Sequence, residues 1–221
     1  MKKITYLALF CCLLFLQSCF EIIEQILVKN DGSGNFQLVV NMSKSRTKLN
    51  SIRKMKKING HDVPTKEDIS RKVADIEKTV KGTAGISNVK TSLDFDNYIA
   101  SISCDFSKVT NLNAAIRNIN VKEGNTKPID NTYEYDPVGK TFSRLNKVLL
   151  NEEYRKMSNA DKEVFASANY TSIFRFDNDI ASFSNRDSKL SANKKAVMLK
   201  LNALAVMTSK KSIENKINLV K

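Results

Sequence analysis

The stretch Glu24–Met42, EQILVKNDGSGNFQLVVNM, decides the fold because it places a strong turn between two strand patterns. Residues 24–29 form an apolar run, and residues 30–34, Asn-Asp-Gly-Ser-Gly, tolerate the left-handed backbone that tight turns need. From Phe36 to Met42 every second residue is apolar, which is typical of a half-buried strand. The stretch therefore predicts a β-hairpin.

Two more hairpins are predicted downstream, because alternating apolar runs again flank turn residues. The second hairpin turns at Asp96-Asn97 and the third at Pro137-Val138-Gly139. Their strands are predicted at residues 89–95 and 98–106 for the second hairpin, and at 132–136 and 141–145 for the third.

Helices are predicted where apolar residues recur at helical spacing. A basic helix is expected from Lys44 to Ile58. The next begins at Thr65, where Asp68 completes a capping box, and ends at Gly82. Two more helices are expected: one capped by Thr110, and one over residues 147–168.

Single strands are predicted at residues 170–176, 197–201 and 213–220. Hairpins mixed with helices, without regular alternation of single strands and helices, indicate the α+β class. We therefore expect an antiparallel sheet built from hairpins, with amphipathic helices packed on it, in a single domain over residues 25–221.

The N-terminus has the pattern of a bacterial export signal. Met1-Lys2-Lys3 is basic, residues 4–16 are apolar, and Leu16-Gln17-Ser18-Cys19 resembles a lipobox. We expect residues 1–18 to be a signal peptide, Cys19 to carry the lipid and residues 19–24 to form the tether.

An uncleaved membrane anchor and an ordinary soluble export signal are the alternatives to lipidation. A membrane span needs about 20 apolar residues, more than this run contains, and Glu21 and Glu24 close it. A soluble export signal does not need a Cys at its junction. Since several acyl chains anchor a protein stably, the lipobox implies a permanent tether to the cell envelope, and we expect the outer membrane.

The charge of the chain is strongly positive, with 36 Lys and Arg against 23 Asp and Glu and a formal net charge of +13. A field of this sign favours anionic partners. We expect no nucleic-acid partner for an exported protein. This leaves anionic lipid, anionic glycan or another envelope protein.

One stretch is more basic than the rest of the chain, because no acidic residue occurs between Gly32 and His61. Leu49, Ile52 and Met55 recur there every third residue, which predicts an amphipathic helix. Such a helix either lies on an anionic membrane surface or packs its apolar stripe on a sheet with its lysines in water. The candidate anion-binding residues are Lys44, Arg46, Lys48, Arg53, Lys54, Lys56 and Lys57.

No motif for catalysis, a cofactor or a metal is found, so we expect a protein that is not an enzyme, with no cofactor and no metal site. His61 is the only histidine and lies in a polar loop, and Cys104 lies on an apolar alternation that predicts burial. Asp94, Asp96 and Asp105 alternate with the apolar face of the second hairpin, so we expect them to point to solvent.

The two ends of the mature chain together resemble a known kind of lipoprotein. The residues that carry the resemblance are Cys19, the Ile26–Met42 hairpin with its D-G-S-G turn, Phe174 and Phe176, Ser184-Asn185 and the Val197–Leu201 strand. This set resembles uncharacterised exported lipoproteins of the Bacteroidota and, more distantly, the LppM-type lipoprotein domain. The resemblance implies a cell-envelope α+β domain without known catalytic residues, and a proposed lipid-binding role for the distant relatives.

The leading functional hypothesis from the sequence is a non-enzymatic envelope lipoprotein that binds an envelope component or a partner protein. A carrier of lipid or another small apolar ligand is the alternative. A carboxylate-dependent hydrolase is the third hypothesis.

Overall fold

The computed structural model describes residues 20–58, 60–124, 131–145, 151–157, 159, 162 and 166–221. Its helices are α1 (Arg46–Ile52), α2 (Lys66–Lys81), α3 (Val109–Lys122), α4 (Asn151–Lys156) and α5 (Ala203–Met207). Its strands are β1 (Glu21–Val28), β2 (Gly34–Asn41), β3 (Lys57–Ile58), β4 (His61–Asp62), β5 (Ile86–Asp94), β6 (Ile99–Phe106), β7 (Tyr133–Asp136), β8 (Thr141–Arg144), β9 (Asn169–Phe176), β10 (Ile180–Phe183), β11 (Ser188–Leu190), β12 (Ala196–Asn202) and β13 (Asn215–Leu219). The α+β class is confirmed.

The first hairpin is confirmed, with β1 and β2 paired from Glu21↔Asn41 to Val28↔Gly34. Asp31 Oδ1 accepts hydrogen bonds from the Ser33 amide at 2.9 Å and the Ser33 hydroxyl at 2.7 Å. Gly32 has φ +82°, the left-handed backbone that glycine adopts without penalty. The turn residues therefore fix the register of the hairpin as the sequence predicts.

A seven-stranded sheet in the order β11-β12-β9-β1-β2-β6-β5 forms the main layer. Its pairs are antiparallel except that β1 runs parallel to β9, from Glu21↔Asn169 to Val28↔Phe176. The sheet is thus mixed, whereas the sequence predicted an antiparallel one. Alternation shows which face of a strand is buried, but not which distant strand pairs with it across a long connection.

A second sheet, in the order β10-β13-β8-β7, packs against the inner face of the first. Inward residues of both sheets and of helices α2 and α3 form the main apolar core, and Leu199, Leu201, Val206 and Ile213 form a second buried cluster. Its buried members include Ile26, Val80, Phe106, Leu112, Tyr133, Phe142, Phe174 and Ile217. Phe142 stands at the centre, 5.2 Å from the ring of Phe174 and 5.5 Å from that of Phe176.

The predicted cap of α2 is present as a full capping box. The Thr65 hydroxyl accepts from the Asp68 amide, and an Asp68 carboxylate oxygen accepts from the Thr65 amide. The cap predicted at Thr110 is wrong, because α3 begins at Val109 after an extended Lys108. Burial of Val109 turns the chain into the helix before Thr110 is reached.

The C-terminal part differs most from the prediction. The polar segments that contain β10 and β11 lack an alternating apolar pattern, and both strands are short, so neither was predicted. Asn202 ends β12 and caps α5 by accepting from the Ala205 amide. Ten of the 22 residues of the helix predicted over residues 147–168 lie outside the described residues; Asn151–Lys156 and residues 159, 162 and 166 are helical, and Ala168 is buried outside any helix.

Candidate functional site

The basic stretch is not one continuous helix, which corrects the prediction for Lys44 to Ile58. A 3-10 turn at Ser43–Ser45 leads into α1, which ends at Ile52, and residues 57–58 then pair with residues 61–62. Arg53, Lys56 and Lys57 would stand three and four residues apart on a longer helix. Like charges at that spacing repel, and no acidic residue there offsets them.

The end of α1 is fixed to the turn between β5 and β6 through Tyr98. The Tyr98 hydroxyl donates to Asn50 Oδ1 at 2.6 Å and accepts from an Arg53 guanidinium nitrogen at 3.3 Å. The Met42 amide donates to the Tyr98 carbonyl oxygen at 3.0 Å. The segment from Met42 to Asp62, here called the basic segment, is thereby attached to the sheet.

All seven predicted anion-binding residues of the basic segment are exposed to solvent. Lys57 lies 3.6 Å from Asp62, and both side chains of that ion pair are exposed. In the part of the chain that the structure describes, Lys48, Lys54 and Lys56 make no ion pair. These three ammonium groups are available to an anionic partner.

The basic segment lies at one end of the seven-stranded sheet, here called the proximal end. Paired residues that define this end include Glu21, Asn41, Ile99, Asn169 and Asn202. The opposite end of the strands, here called the distal end, carries the Asp31-Gly32 turn.

Phe20, the residue next to the predicted lipidation site, lies at the same proximal end. Its carbonyl oxygen accepts from the Asn169 amide at 2.9 Å, and it lines a small pocket of about 30 Å³ together with Lys44 and Lys200. Cys19 itself lies outside the described residues. The chain therefore leaves the sheet toward Cys19 beside the start of the basic segment, and residues 21–24, which the sequence assigned to the tether, belong to β1.

A glutamate next to this pocket is held ionised by its neighbours. Burial acts to raise the pKa of Glu21, but hydrogen bonds from Thr171 and Lys200 and the charge of Lys44 outweigh it and lower that pKa. Its oxygen Oε1 accepts from the Thr171 hydroxyl at 2.7 Å and pairs with Lys200 Nζ at 3.0 Å. The proximal end is thus an ordered polar surface.

The structure also contains a buried ionic group that the sequence analysis missed. Glu24 is 6 % exposed and lies inside the core face of β1, with its Oε1 3.6 Å from Arg144 Nε on β8. The Tyr170 hydroxyl donates to Glu24 Oε2 at 3.0 Å, and the Arg144 guanidinium carbon lies 5.3 Å from the centre of the Tyr133 ring. A signal was present, since Glu24 stands in phase with the inward Ile26 and Val28.

Burial and the charge of Glu24 in this group shift the pKa values of the neighbouring tyrosines. Burial and then the charge of Glu24 raise the pKa of Tyr133 and of Tyr170 well above the usual value. Burial opposes ionisation of Arg144, but the charge of Glu24, the phenols of Tyr133 and Tyr170 and a hydrogen bond with Tyr170 together outweigh it and raise the pKa of the guanidinium. Both tyrosines therefore stay protonated, and Glu24 with Arg144 forms an ion pair that joins the two sheets.

The remaining residues singled out from the sequence do not converge. Cys104 is buried as predicted, and burial raises the pKa of its thiol to about 11. Asp94 accepts from the Asn97 amide at the proximal turn, whereas Asp105 accepts from Asn35 and Asn88 at the distal end. His61 is an exposed residue of β4. Among the described residues, no three His, Cys, Asp or Glu side chains form a group that could hold a metal.

Two further concavities lie outside the basic segment. An open cleft of about 700 Å³ at the distal end is lined by polar and apolar side chains of the start of α3 and of β7, including Lys108, Asn113 and Tyr135. An apolar groove of about 200 Å³ lies between α2 and the sheet, with Leu38 and Ile102 in its lining. No helix in the described part of the chain has the length and apolar character of a membrane span.

The architecture is that of an α+β protein with a mixed seven-stranded sheet backed by a second sheet and two helices. No family model matches the chain, and no curated protein matches its sequence. Among solved structures, the chain is similar to the folded domain of the Mycobacterium tuberculosis protein LppM, determined by NMR. The two share 14 % sequence identity over 92 % of this chain and 91 % of that chain, with a TM-score of 0.44. The resemblance to lipoproteins of the Bacteroidota stays a prediction.

Proposed function

We propose that this chain is a non-enzymatic lipoprotein of the bacterial envelope, tethered through Cys19, whose basic segment binds the anionic surface of the membrane that holds the tether. The outer membrane is the location that we propose. One observation carries the proposal: the basic segment and the point where the chain leaves the sheet toward Cys19 lie at the same end of the molecule.

This arrangement favours electrostatic contact because membrane attraction acts over short distances. A Lys or Arg near an anionic membrane surface contributes about 1 kcal/mol, and the attraction decays over a Debye length of about 8 Å at physiological salt. A tether at the distal end would hold the basic segment a full strand length away from the membrane. A tether at the proximal end holds it at the surface.

The charge distribution supports the same orientation. Basic and acidic residues are mixed at the distal end, where Lys29 and Lys195 stand near Asp31 and Asp177. The basic segment has no acidic residue before Asp62. The basic segment itself therefore presents a uniformly positive surface, whereas Glu21, Asp94 and Asp96 add acidic groups elsewhere at the proximal end.

Binding of the chain that begins at Phe20, without any lipid, to vesicles of phosphatidylglycerol and phosphatidylcholine tests the proposal. Changing Lys48, Lys54 and Lys56 to Glu removes three unpaired charges, and we expect at least a hundredfold loss, from about 1 kcal/mol for each charge. The matched control changes Lys29, Lys194 and Lys195 to Glu, because these are exposed lysines at the distal end. Equal losses in the two triple variants would contradict the proposal. An anionic glycan as the partner would compete with the vesicles.

A carrier of a small apolar ligand is the second candidate, and the groove between α2 and the sheet is the observation in its favour. Ligand pockets usually enclose about 300 to 1,000 Å³. The groove, at about 200 Å³, falls below that range, and the distal cleft of about 700 Å³ is open and lined partly by charged residues such as Lys108 and Glu134, which do not suit an apolar ligand. The membrane-surface function is therefore favoured, and the scattered positions of Asp94 and Asp105 leave the hydrolase hypothesis with the weakest support.

A further inference from the structure

Met55 is a large apolar side chain that stands in water within the most basic part of the molecule. It is 51 % exposed, whereas Leu49 and Ile52, the other members of the predicted apolar stripe, are half-buried. Lys54 and Lys56 flank it directly. Single exposed apolar residues are common on protein surfaces, so exposure alone does not give Met55 a function. Its position and its neighbours carry the argument.

The backbone on both sides of Met55 is fixed, so the side chain is held outward. The Met55 amide donates to the Ile52 carbonyl oxygen at 2.9 Å, and the Val63 amide donates to the Lys56 carbonyl oxygen at 3.0 Å. The end of α1 is held in turn by the contacts of Asn50 and Arg53 with Tyr98. Met55 therefore occupies a defined bend between α1 and β3.

The chemistry of the bend suits the boundary between lipid headgroups and acyl chains. Lysine side chains can keep their ammonium groups at the headgroup level while their methylene stems lie along apolar material. A flexible thioether side chain between two such lysines can then enter the acyl region. Val138 and Val220 are also exposed, but both lie toward the distal end, and the exposed Val121, Leu190 and Met198 lie outside the basic segment.

We propose that Met55 inserts into the acyl-chain boundary of the anionic membrane and forms an apolar contact in addition to the electrostatic contact of the lysines around it. The inference rests on the proposed function, because the basic segment must first reach the membrane. It adds a part of the binding energy that salt does not screen.

The chain contains no tryptophan, so Met55→Trp places a unique fluorophore at the bend. The matched control is Val138→Trp, which replaces a side chain that is 88 % exposed on the distal turn. Both are made in the full lipidated chain and reconstituted in vesicles of phosphatidylglycerol and phosphatidylcholine. One set of vesicles carries a quencher on the headgroup, and another carries bromine on the upper acyl chain.

We expect the tryptophan of Met55→Trp to emit at shorter wavelength than that of Val138→Trp. The brominated acyl chains should quench the emission of Met55→Trp severalfold, whereas neither the brominated vesicles nor the headgroup-quencher vesicles should quench Val138→Trp. Headgroup quenching of Met55→Trp without acyl-chain quenching would overturn the insertion and leave the surface contact standing. Absence of both kinds of quenching at position 55 would overturn the proposed function as well.

A second measurement uses the native side chain, since tryptophan has its own preference for the interface. Hydrogen peroxide oxidises accessible methionines to the sulfoxide, and mass spectrometry follows each site. We expect anionic vesicles to slow oxidation of Met55 severalfold but not that of Met198, which is 39 % exposed. Equal rates at Met55 with and without the membrane would contradict insertion.

Discussion

At the scale of single residues, Glu24 shows how strongly the core constrains an ionised group. Its side chain lies among inward apolar residues of β1, so its charge has lost most of its contact with water. The guanidinium of Arg144 and the hydroxyl of Tyr170 replace that water. Because Arg144 lies on β8 of the second sheet and Tyr170 lies on β9, the Glu24 carboxylate links its own strand β1 to two other strands.

Removing either member of the ion pair should destabilise the fold more than removing both. We expect Glu24→Ala or Arg144→Ala to lower the free energy of unfolding by about 3 to 5 kcal/mol, because each leaves an uncompensated buried charge. The double variant Glu24→Leu with Arg144→Met should lose less than either single variant, since apolar residues then fill the same space. Urea unfolding at neutral pH measures all three. Losses that simply add would contradict this account.

Single residues also show where sequence reasoning about the candidate site fails. The seven basic residues could be named from the sequence, because a long acid-free stretch is visible there. Glu24 was read only as the residue that closes an apolar run. The strand pattern did place it inward, but its partner Arg144 lies in a different sheet, and no local pattern joins the two.

At the scale of secondary structure elements, the hairpins could be predicted from the sequence, but the second partner of β1, strand β9, could not. Alternation and turn residues act over a few neighbouring positions, so they determine β1–β2, β5–β6 and β7–β8 directly. The parallel pairing of β1 with β9 depends on side-chain packing in the finished core. The helix predicted to Ile58 ends at Ile52 for an electrostatic reason. The apolar spacing continues to Met55, but the charged residues after Ile52 are all basic up to Lys57, and like charges destabilise a helix.

The first hairpin has a steric weak point at Gly34. A Cβ atom there would lie 1.9 Å from the Leu27 carbonyl oxygen and 2.5 Å from the Phe106 ring, and the carbonyl cannot retreat without opening the hairpin. We expect Gly34→Ala to cost about 3 kcal/mol, at the upper end of overpacking changes. Thermal unfolding measures the effect.

The control is Gly82→Ala at the end of α2, where a Cβ atom would lie 3.4 Å from the Lys78 carbonyl oxygen and φ is −77°. We expect that change to stay within about 1 kcal/mol, because alanine adopts this backbone without strain. A melting temperature lowered equally by the two substitutions would show that the close approach at Gly34 does not govern the hairpin.

At the scale of the whole molecule, the two sheets pack with α2 and α3 around the main core, while the basic segment lies at one end of the strands of the large sheet. The main buried cluster includes Phe142 and Phe176, whose rings lie 5.5 Å apart, and a second buried cluster around Leu201 and Val206 reaches the proximal end. The proximal end carries the basic segment, and α1 contributes no buried side chain. Stability and the proposed membrane contact thus reside in different parts of the protein, which lets surface charges change without disturbing the core.

Amide hydrogen exchange of the full lipidated chain tests this separation directly. Without a membrane we expect the basic segment to exchange fastest among the regular elements and β1 to exchange slowest, because exchange follows burial and local stability. Vesicles of phosphatidylglycerol and phosphatidylcholine should slow exchange severalfold over residues 43–58, since the proximal end then faces the bilayer. The distal turns at residues 30–33 and 137–139 should exchange as before. Vesicles of phosphatidylcholine alone provide the control, because they lack the negative charge that orients the molecule. Protection of the distal turns instead would mean that another surface faces the membrane. Equal protection of residues 43–58 by both kinds of vesicle would mean that charge does not orient the molecule.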